Sequence, residues 1–562
     1  MIKNLAFSLL LLVGLSFTSA AFTRSYYAEH SRLASGTWVK VKTPESGMYQ
    51  LTYKQLREMG FTNPARVQVY GYPAVCDLLT NTFSTSQPDD LVPVATRHTG
   101  EKILFYGVGD CDVYAISSGR TSGNLQRTRT PYDTGSYYFL SDSEAPVAVP
   151  ERTRLNPTTS SLRVFDSHLS VVFREEDTRN EAEGGVIFHG KTLTPGQTST
   201  YTFDIPGYAP LNRIPGFSDG SGAEISLHNR VGFRSPSVQM TPATYSCDDA
   251  FTISGVNDNG CYPTAALISF RSVNQIVQVL PADYSDPDAD YPEKLTISIT
   301  QPSTSQEYLA EDYQALVYPR RNTLNADTPQ LLMTAPQRCI SRHQMFFPAA
   351  KAGEMEVWNI TNPYKVDKYV LTETARYHDD GGVLVTMDAA GQRMVAFMPA
   401  AQFPSPQVMG KVDAQDLHGV ATPDMVIIAT APLLAAAERL ADLHRQYQGL
   451  DVAVVDHNAV YNEFSSGARS PMAYRRFLKM LHDRDNRLKY VLFMGQANYD
   501  NRGVVSGTDP TDRLVLWAQD DENDAANLAL NYALDTRIGM LQDDYTTRYV
   551  PPLYPIQVAV GR

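Results

Sequence analysis

Basic residues are in short supply: 48 lysines and arginines stand against 61 aspartates and glutamates, a formal net charge of −13. That balance excludes the positive footprint a nucleic-acid partner requires. Hydrophobic runs are also scarce, and past residue 22 none is long enough to span a bilayer as a helix. The chain has 5 cysteines, an odd number, so at least one thiol lacks an intrachain partner. Its 11 histidines are dispersed, with no pair at zinc-ligand spacing on a helix, and there is no Gly-x-Ser-x-Gly elbow. Helical periodicity is scarce until the last quarter, and no repeat of fixed period occurs.

What is present points outward and to β structure. "MIKNLAFSLLLLVGLSFTSAAF" has a positive start at Lys3, an apolar run from Leu5 to Phe17 and small residues at Thr18-Ser19-Ala20, the pattern of a secretory leader over residues 1–20. No cysteine follows it, so a lipid anchor is not expected. The 32 tyrosines against 3 tryptophans suit β-rich domains with half-wet surfaces. Export makes disulfides possible. Cys247 and Cys261 bracket a turn-rich stretch and are the expected pair; Cys76, Cys111 and Cys339 are too scattered to pair by inspection.

A first β-rich domain is read over residues 21–155. "TWVKVK", "ARVQVYGY", "KILFYGVG" and "SYYFLSD" are its strands, and "YKQLREMGF" is a short helix stopped by Gly60. A second β-rich region, 156–420, carries "RVFDSHLSVVF", "KLTISIT", "MEVWNIT" and the hairpin-like "GGVLVTMDAAGQRMVAFMPA". From 421 to 562 the pattern becomes α/β. "MVIIA" is a buried strand, and Thr430 and Pro432 start a helix with Leu433, Leu434, Ala437, Leu440 and Ala441 on one face, ended by Gly449. "VAVV" follows, then a helix opened by Ser470 and Pro471, then "YVLFM". That alternation implies a parallel sheet, with its ligand edge beyond the strand carboxyl ends near Gly495 to Asp500. "LVLWA" and "IQVAV" are two further candidate strands; "YVLFM" and "IQVAV" are expected at an open edge, and the β-rich regions are expected to fold without residues after about Thr422.

Several motifs are formal hits without chemistry. "GVIFHGKT" fits the phosphate-loop spacing, but its variable positions are strand-like and a proline follows where a helix is needed. Asp283, Asp286, Asp288 and Asp290, and again Asp520, Asp521, Glu522 and Asp524, lack the glycine and distal glutamate of a calcium-binding hand and read as solvated loops. His444 lies on a helix in a structural position; His378 sits in an acidic loop. Cys339 and His343 are close only in sequence, which counts for little in a triad. No catalytic, cofactor-binding or metal-ligating residue is therefore assigned, and no cofactor is expected.

The segment "YNEFSSGARSPMAYRRFLKMLHDRDNRLKYVLFMGQANYDNRG", Tyr461 to Gly503, and the terminal "VAVGR" resemble the gingipain-type cysteine peptidases, in particular their sortase-like branch in the type IX secretion system of Bacteroidetes. "SGTWVKVKTPESGMYQLTYKQLREMGF", "VQVYGYP", "DDLVPV" and "YYFLSD" extend the likeness to the front of the chain. It implies β-rich amino-terminal domains followed by the first half of a caspase-like α/β domain, with the catalytic histidine and cysteine on later strands, beyond Arg562. It also implies an outer-membrane or cell-surface location. The implied activity is cleavage of carboxyl-terminal sorting domains from secreted cargo, and the implied partners are that cargo and an outer-membrane shuttle component. Gln496 and Ser470 stand where the family commonly has aspartate, and "YALDTRIG" keeps only Asp535 of a more acidic segment. The other reading is a non-catalytic secreted surface or periplasmic binding protein, a decayed or truncated paralogue.

Small residues flank the bonds after Ala20 and Ala21, so intact mass of the exported protein is expected to begin at Ala21 or Phe22. A mature form starting at Met1 contradicts the leader reading.

Overall fold

The computed structural model describes residues 24–562 apart from 77–82, 117–123, 153–161, 163, 181–185, 210–224, 235–242, 259–269, 284–290, 306–307, 335–341, 388–391, 519–534 and 543–555. The leader, Cys261, Cys339, Asp286, Asp288, Asp290 and the 520–524 acidic cluster lie outside the described residues. Cys247 is a free thiol whose Sγ donates to the Phe251 carbonyl at 3.2 Å.

The alternation of "TWVKVK" produces β1 (Trp38–Thr43), which buries Val39 and Val41 on one face. It pairs with Ser136–Ser141 on one side and on the other with β2 (Gln407–Val412), a strand that returns from far along the chain. This sheet packs on Gly47–Thr52, Lys102–Gly107 and Arg97–Thr99, and Leu51, Ile103 and Phe105 meet Val39, Val41 and Leu140 between the layers. Fully burying each such side chain is worth about 1.5–3 kcal/mol. The expected short helix spans Tyr53–Glu58, with Thr52 and Gln55 forming a capping box and Leu56 in the core.

The second β-rich part is built on a ten-stranded sheet running from Phe251–Asp258 at one edge to Asp367–Lys368 at the other. Two smaller sheets cover it: Thr198–Asp204, Lys294–Thr300 and Thr244–Cys247 over one core, and the sheet containing His343–Pro348 and Gly382–Met387 over another. The expected hairpin over "GGVLVTMDAAGQRMVAFMPA" does not form. Gly382–Met387 pairs with His343–Pro348 and Leu371–Thr374, whereas Arg393–Phe397 pairs with Gln330–Thr334 and Glu356–Asn359 in the long sheet. Both runs bury alternate apolar residues, so each gains more by facing the shared core from opposite layers than by pairing with the other.

The last part is a parallel four-stranded sheet. Its strands are β3 (Met425–Ala429), β4 (Val452–Asp456), β5 (Tyr490–Met494) and β6 (Ala559–Gly561), in the order β4-β3-β5-β6. Helix α1 (Leu434–Gln448) covers one face with Ala437 and Ala441 and stops at Gly449, φ +65°. Thr430 precedes it in the cap position of a short 3₁₀ turn, but its side chain makes no capping bond. On the other face lie α2 (His457–Phe464), absent from the sequence reading, and α3 (Pro471–Asp485), whose cap Ser470 accepts from Met472 N at 3.1 Å. "LVLWA" forms no strand ladder among the described residues: Leu514 bridges to Ala497 and Ala518 is a bridge residue, and Leu514, Val515, Trp517 and Ala518 are buried. "IQVAV" contributes only Ala559–Gly561, and β5 is an interior strand, paired on both sides instead of lying at an open edge.

The α/β part is held by "YNEFSSG", the end of α2 and the turn after it. Glu463, fully buried, accepts from the amides of Leu417 and His418 and meets His418 Nδ1 at 2.7 Å. Asp89 approaches the other imidazole nitrogen at 3.3 Å, and Phe464 stacks on the ring at 4.6 Å. Asn462 Oδ1 and Gly467 O take the ammonium of Lys40, which lies over the Tyr137 ring. Ser466, at φ +50°, accepts from Tyr72 N and donates to Tyr137 O. Truncation after Thr422 therefore strips partners from the half-buried Lys40 and from the face around Tyr137, and the β-rich part is not indifferent to the loss.

Burial works against a proton on His418, but its hydrogen bonds to Asp89 and Glu463 outweigh it and raise the imidazole to about 10. A raised folded-state value stabilises fully below the ordinary 6.5 and fades as pH climbs through about 10. The stability difference between wild type and His418→Gln is thus expected to be largest near pH 6 and to shrink by pH 9.5, read from urea midpoints. Glu463→Ala, which strands a buried imidazolium, is expected to cost about 3–5 kcal/mol.

Candidate functional site at the carboxyl edge of the parallel sheet

Parallel strands deliver their carboxyl ends to one edge, where ligands bind in open α/β sheets. Four ends converge there: Thr430 after β3, Asp456 and His457 after β4, Gly495 after β5, and Arg562 after β6. His457, 3% exposed, sits edge-on to Tyr461 and 3.1 Å from Asp456. Sequence reading passed over it; a histidine directly after an apolar strand was the available signal.

Gly495 makes the exit of β5 possible. At φ +156° a Cβ there would lie 2.9 Å from Thr430 Cγ2 and 3.1 Å from Leu514 Cδ1. Past it, the Gln496 carbonyl accepts from Leu514 N at 2.9 Å, which pulls "LVLWA" beneath the edge. Asp500, fully buried, organises the next turn by accepting from Gly503 N at 2.9 Å and Val505 N at 2.7 Å, and from the Thr508 hydroxyl.

Arg562 is pinned. Its Nε donates to Asp535 Oδ2 at 2.7 Å, Nη2 donates to Val515 O at 3.3 Å, and the guanidinium lies 5.2 Å from the Phe493 ring centroid. Asp535 Oδ1 in turn accepts from Trp517 N at 3.4 Å. Of the segment "YALDTRIG", the retained aspartate thus fastens the end of β6. Beneath it the hydroxyls of Tyr461 and Tyr474 bond to each other, and Tyr474 packs on Phe493 at 5.0 Å. The edge is a polar surface whose Arg562, Asp535, Tyr461 and Tyr474 side chains are each hydrogen-bonded.

Among the described residues no cysteine lies on this sheet: Cys76, Cys111 and Cys247 belong to the β-rich parts. Burial pushes the Cys111 thiol up to about 12, the opposite of an activated nucleophile. The "GVIFHGKT" stretch forms no phosphate loop; Phe188 is buried under the Arg502 guanidinium and the strand Thr192–Leu193 follows where a helix is required. His444 bonds Gln448 on the outside of α1, and His378 lies beside Asp380 in an exposed loop.

One group of three carboxylates, Glu175, Asp177 and Asp312, brings an oxygen of each within 4.8 Å of the others. Arg127 and Arg129 pair with Glu175, Arg129 and Arg502 with Asp177, and Arg230 with Asp312. With Asp110, which also pairs with Arg129, four guanidiniums meet four carboxylates, so the group is a charge-balanced joint and not a cation site. Through Arg502 it ties the loop after β5 to the second β-rich part.

Gly495→Ala is expected to destabilise the chain by about 1–3 kcal/mol through strain and overpacking against Thr430 and Leu514. Urea unfolding followed by tyrosine and tryptophan fluorescence reads the loss; an unchanged midpoint refutes the account of the β5 exit.

Residues 419–562 match the family model described as Peptidase family C25. The structure superposes on the crystal structure of dimeric latent PorU from Porphyromonas gingivalis with a TM-score of 0.75 and 22% sequence identity, covering 95% of this chain and 48% of that one. The chain thus spans about half the length of that relative. Chains of infectious bursal disease virus, strains Gt and Gx, align at TM-scores of 0.11 and 0.13 with 9% and 10% identity. The first alignment covers 76% of each chain; the second covers 76% of this chain and 90% of the viral one. Such scores indicate no common fold. No curated protein matches the sequence. Residues 419–562 are accordingly similar to peptidase family C25, and the chain as a whole has the fold of the PorU structure it superposes on.

Proposed function

We propose that this chain is the amino-terminal part of a PorU-like cysteine endopeptidase and transpeptidase that removes carboxyl-terminal sorting domains from secreted cargo at the cell surface. The observation that carries this reading is the carboxyl edge of the parallel sheet, closed by the Asp535–Arg562 pair within the family C25 segment. In this reading the β-rich parts supply docking surfaces for cargo and for an outer-membrane shuttle component, and the edge is a platform to which later strands bring a histidine and a cysteine. A thiolate at such an edge needs an adjacent imidazole to lower its pKa and carry the proton. No helix among the described residues is long and apolar enough to cross a membrane.

Gln496, standing where the family commonly has aspartate, favours a second reading, a non-catalytic exported binding protein. The intact Asp535–Arg562 pair favours the first. Reading the coding sequence past codon 562 separates them: an open frame with a Gly-His-Gly and a later cysteine supports the peptidase, an immediate stop supports the binding protein.

Purified residues 22–562 are expected to show no thiol-dependent cleavage of peptides, since the three described cysteines sit in the β-rich parts. Turnover that disappears in Cys339→Ala would overturn the assignment of the site to the sheet edge.

A further inference from the structure

The first described residues, 24–34, form a strap over the joint between the first β-rich part and the α/β part. Tyr27 is 9% exposed and belongs to the same core as Phe464 and Phe477. Its hydroxyl donates to Asp483 Oδ2 on α3 at 2.6 Å. Ala28 N donates to Asp89 Oδ2 at 2.7 Å, and Arg32 N donates to Asp90 Oδ2 at 2.7 Å. His30 Nδ1 and Ser31 N meet the two oxygens of Asp416 at 2.6 and 2.8 Å. Five strap donors thus end on four aspartates, contributed by three separate stretches of chain. In return Arg484 Nη2 donates to Ala28 O at 2.9 Å and Gln415 N to Leu33 O at 3.1 Å.

Asp89 is the pivot. The oxygen that accepts from Ala28 N also lies 3.3 Å from His418 Nε2, and the other nitrogen of that ring is on Glu463 of α2. Strap backbone, carboxylate, imidazole and α2 are therefore joined in one run, by hydrogen bonds at its two ends and by the 3.3 Å Asp89–His418 ion pair in the middle. The strap leaves this seat through Ser35-Gly36-Thr37, three exposed residues with Gly36 at φ +93°, before β1 begins.

We propose that residues 24–34 act as a latch: seated, they hold α2 and α3 against the first β-rich part, and unseated they let both helices loosen. A cut in the exposed 35–37 turn would turn an intramolecular contact into a bimolecular one, forfeiting its effective concentration and releasing the strap.

Amide hydrogen exchange on residues 22–562 tests this. The double variant Asp90→Asn/Asp416→Asn leaves His418, Glu463 and both helices untouched. Asp90 accepts from Arg32 N on one oxygen and from Leu91 N on the other, and Asp416 accepts from Ser31 N and Gly419 N on Oδ1 and from His30 Nδ1 on Oδ2, so an asparagine at either position turns an N–H toward one of these donors. Exchange over residues 26–34 is expected to quicken about tenfold or more, with α2 and α3 following and the strand Ser136–Ser141 unchanged. A loosened strap with α2 and α3 unchanged overturns the proposal. In a variant lacking residues 22–34, a synthetic peptide of that sequence is expected to restore protection of α2 and α3. Full protection without the peptide also overturns it, and if that variant does not fold, the double variant decides.

Discussion

One buried charge organises the molecule. His418 is enclosed between Glu463 and Asp89, with Phe464 against its face. A charged imidazole out of water is costly unless paired and hydrogen-bonded. Here the pairing comes from α2 of the α/β part and from a loop of the first β-rich part, so neither can leave without stranding a charge. Lys40 repeats the arrangement a short distance away, reaching from β1 to Asn462 and Gly467. Burial lowers its ammonium to about 8, a cost that the two oxygens and the Tyr137 ring offset.

That constraint fixes where the sheet edge lies. Because α2 is anchored at Glu463 and the cap of α3, Ser470, follows the α2 cap Ser465 by five residues, both helices are held at a set height on β3 and β5. The ends of β5 and β6 then fall beside one another, with Gly495 leaving room for Thr430 and Leu514, and Asp535 fastening Arg562. A second tether, Arg502 to Asp177, runs from the loop after β5 into the second β-rich part. The platform is thus positioned from both β-rich parts, which hold it mechanically.

Much of the fold was legible because it is local. Alternation in "TWVKVK", the apolar run of "MVIIA", the Gly449 stop and the Ser470-Pro471 start each follow from backbone geometry and side-chain period. Long-range pairing was not. The two runs in "GGVLVTMDAAGQRMVAFMPA" look like a hairpin, yet they serve different sheets, because strand choice depends on which face each buries. "LVLWA" has the composition of a strand and shows only bridge residues among the described residues, since apolarity reports burial and not ladder partners. Helix α2 escaped notice because its eight residues follow β4 directly and bury six of their side chains, leaving no polar face to show a period.

By itself the sequence determined the charge class, the change from β-rich to α/β at residue 421, the parallel direction of the last sheet and the likeness of its last quarter to peptidase family C25. These depend on composition, local periodicity and motif order, which survive without coordinates. Only the tertiary structure decided what "YNEFSSG" is for. In sequence it is a string of mixed polarity; in space Glu463 meets His418, Asn462 meets Lys40 and Ser466 bridges two backbones of the first β-rich part. The partners lie between 45 and 422 residues away along the chain, and a buried charge reveals its purpose only beside the group that compensates it.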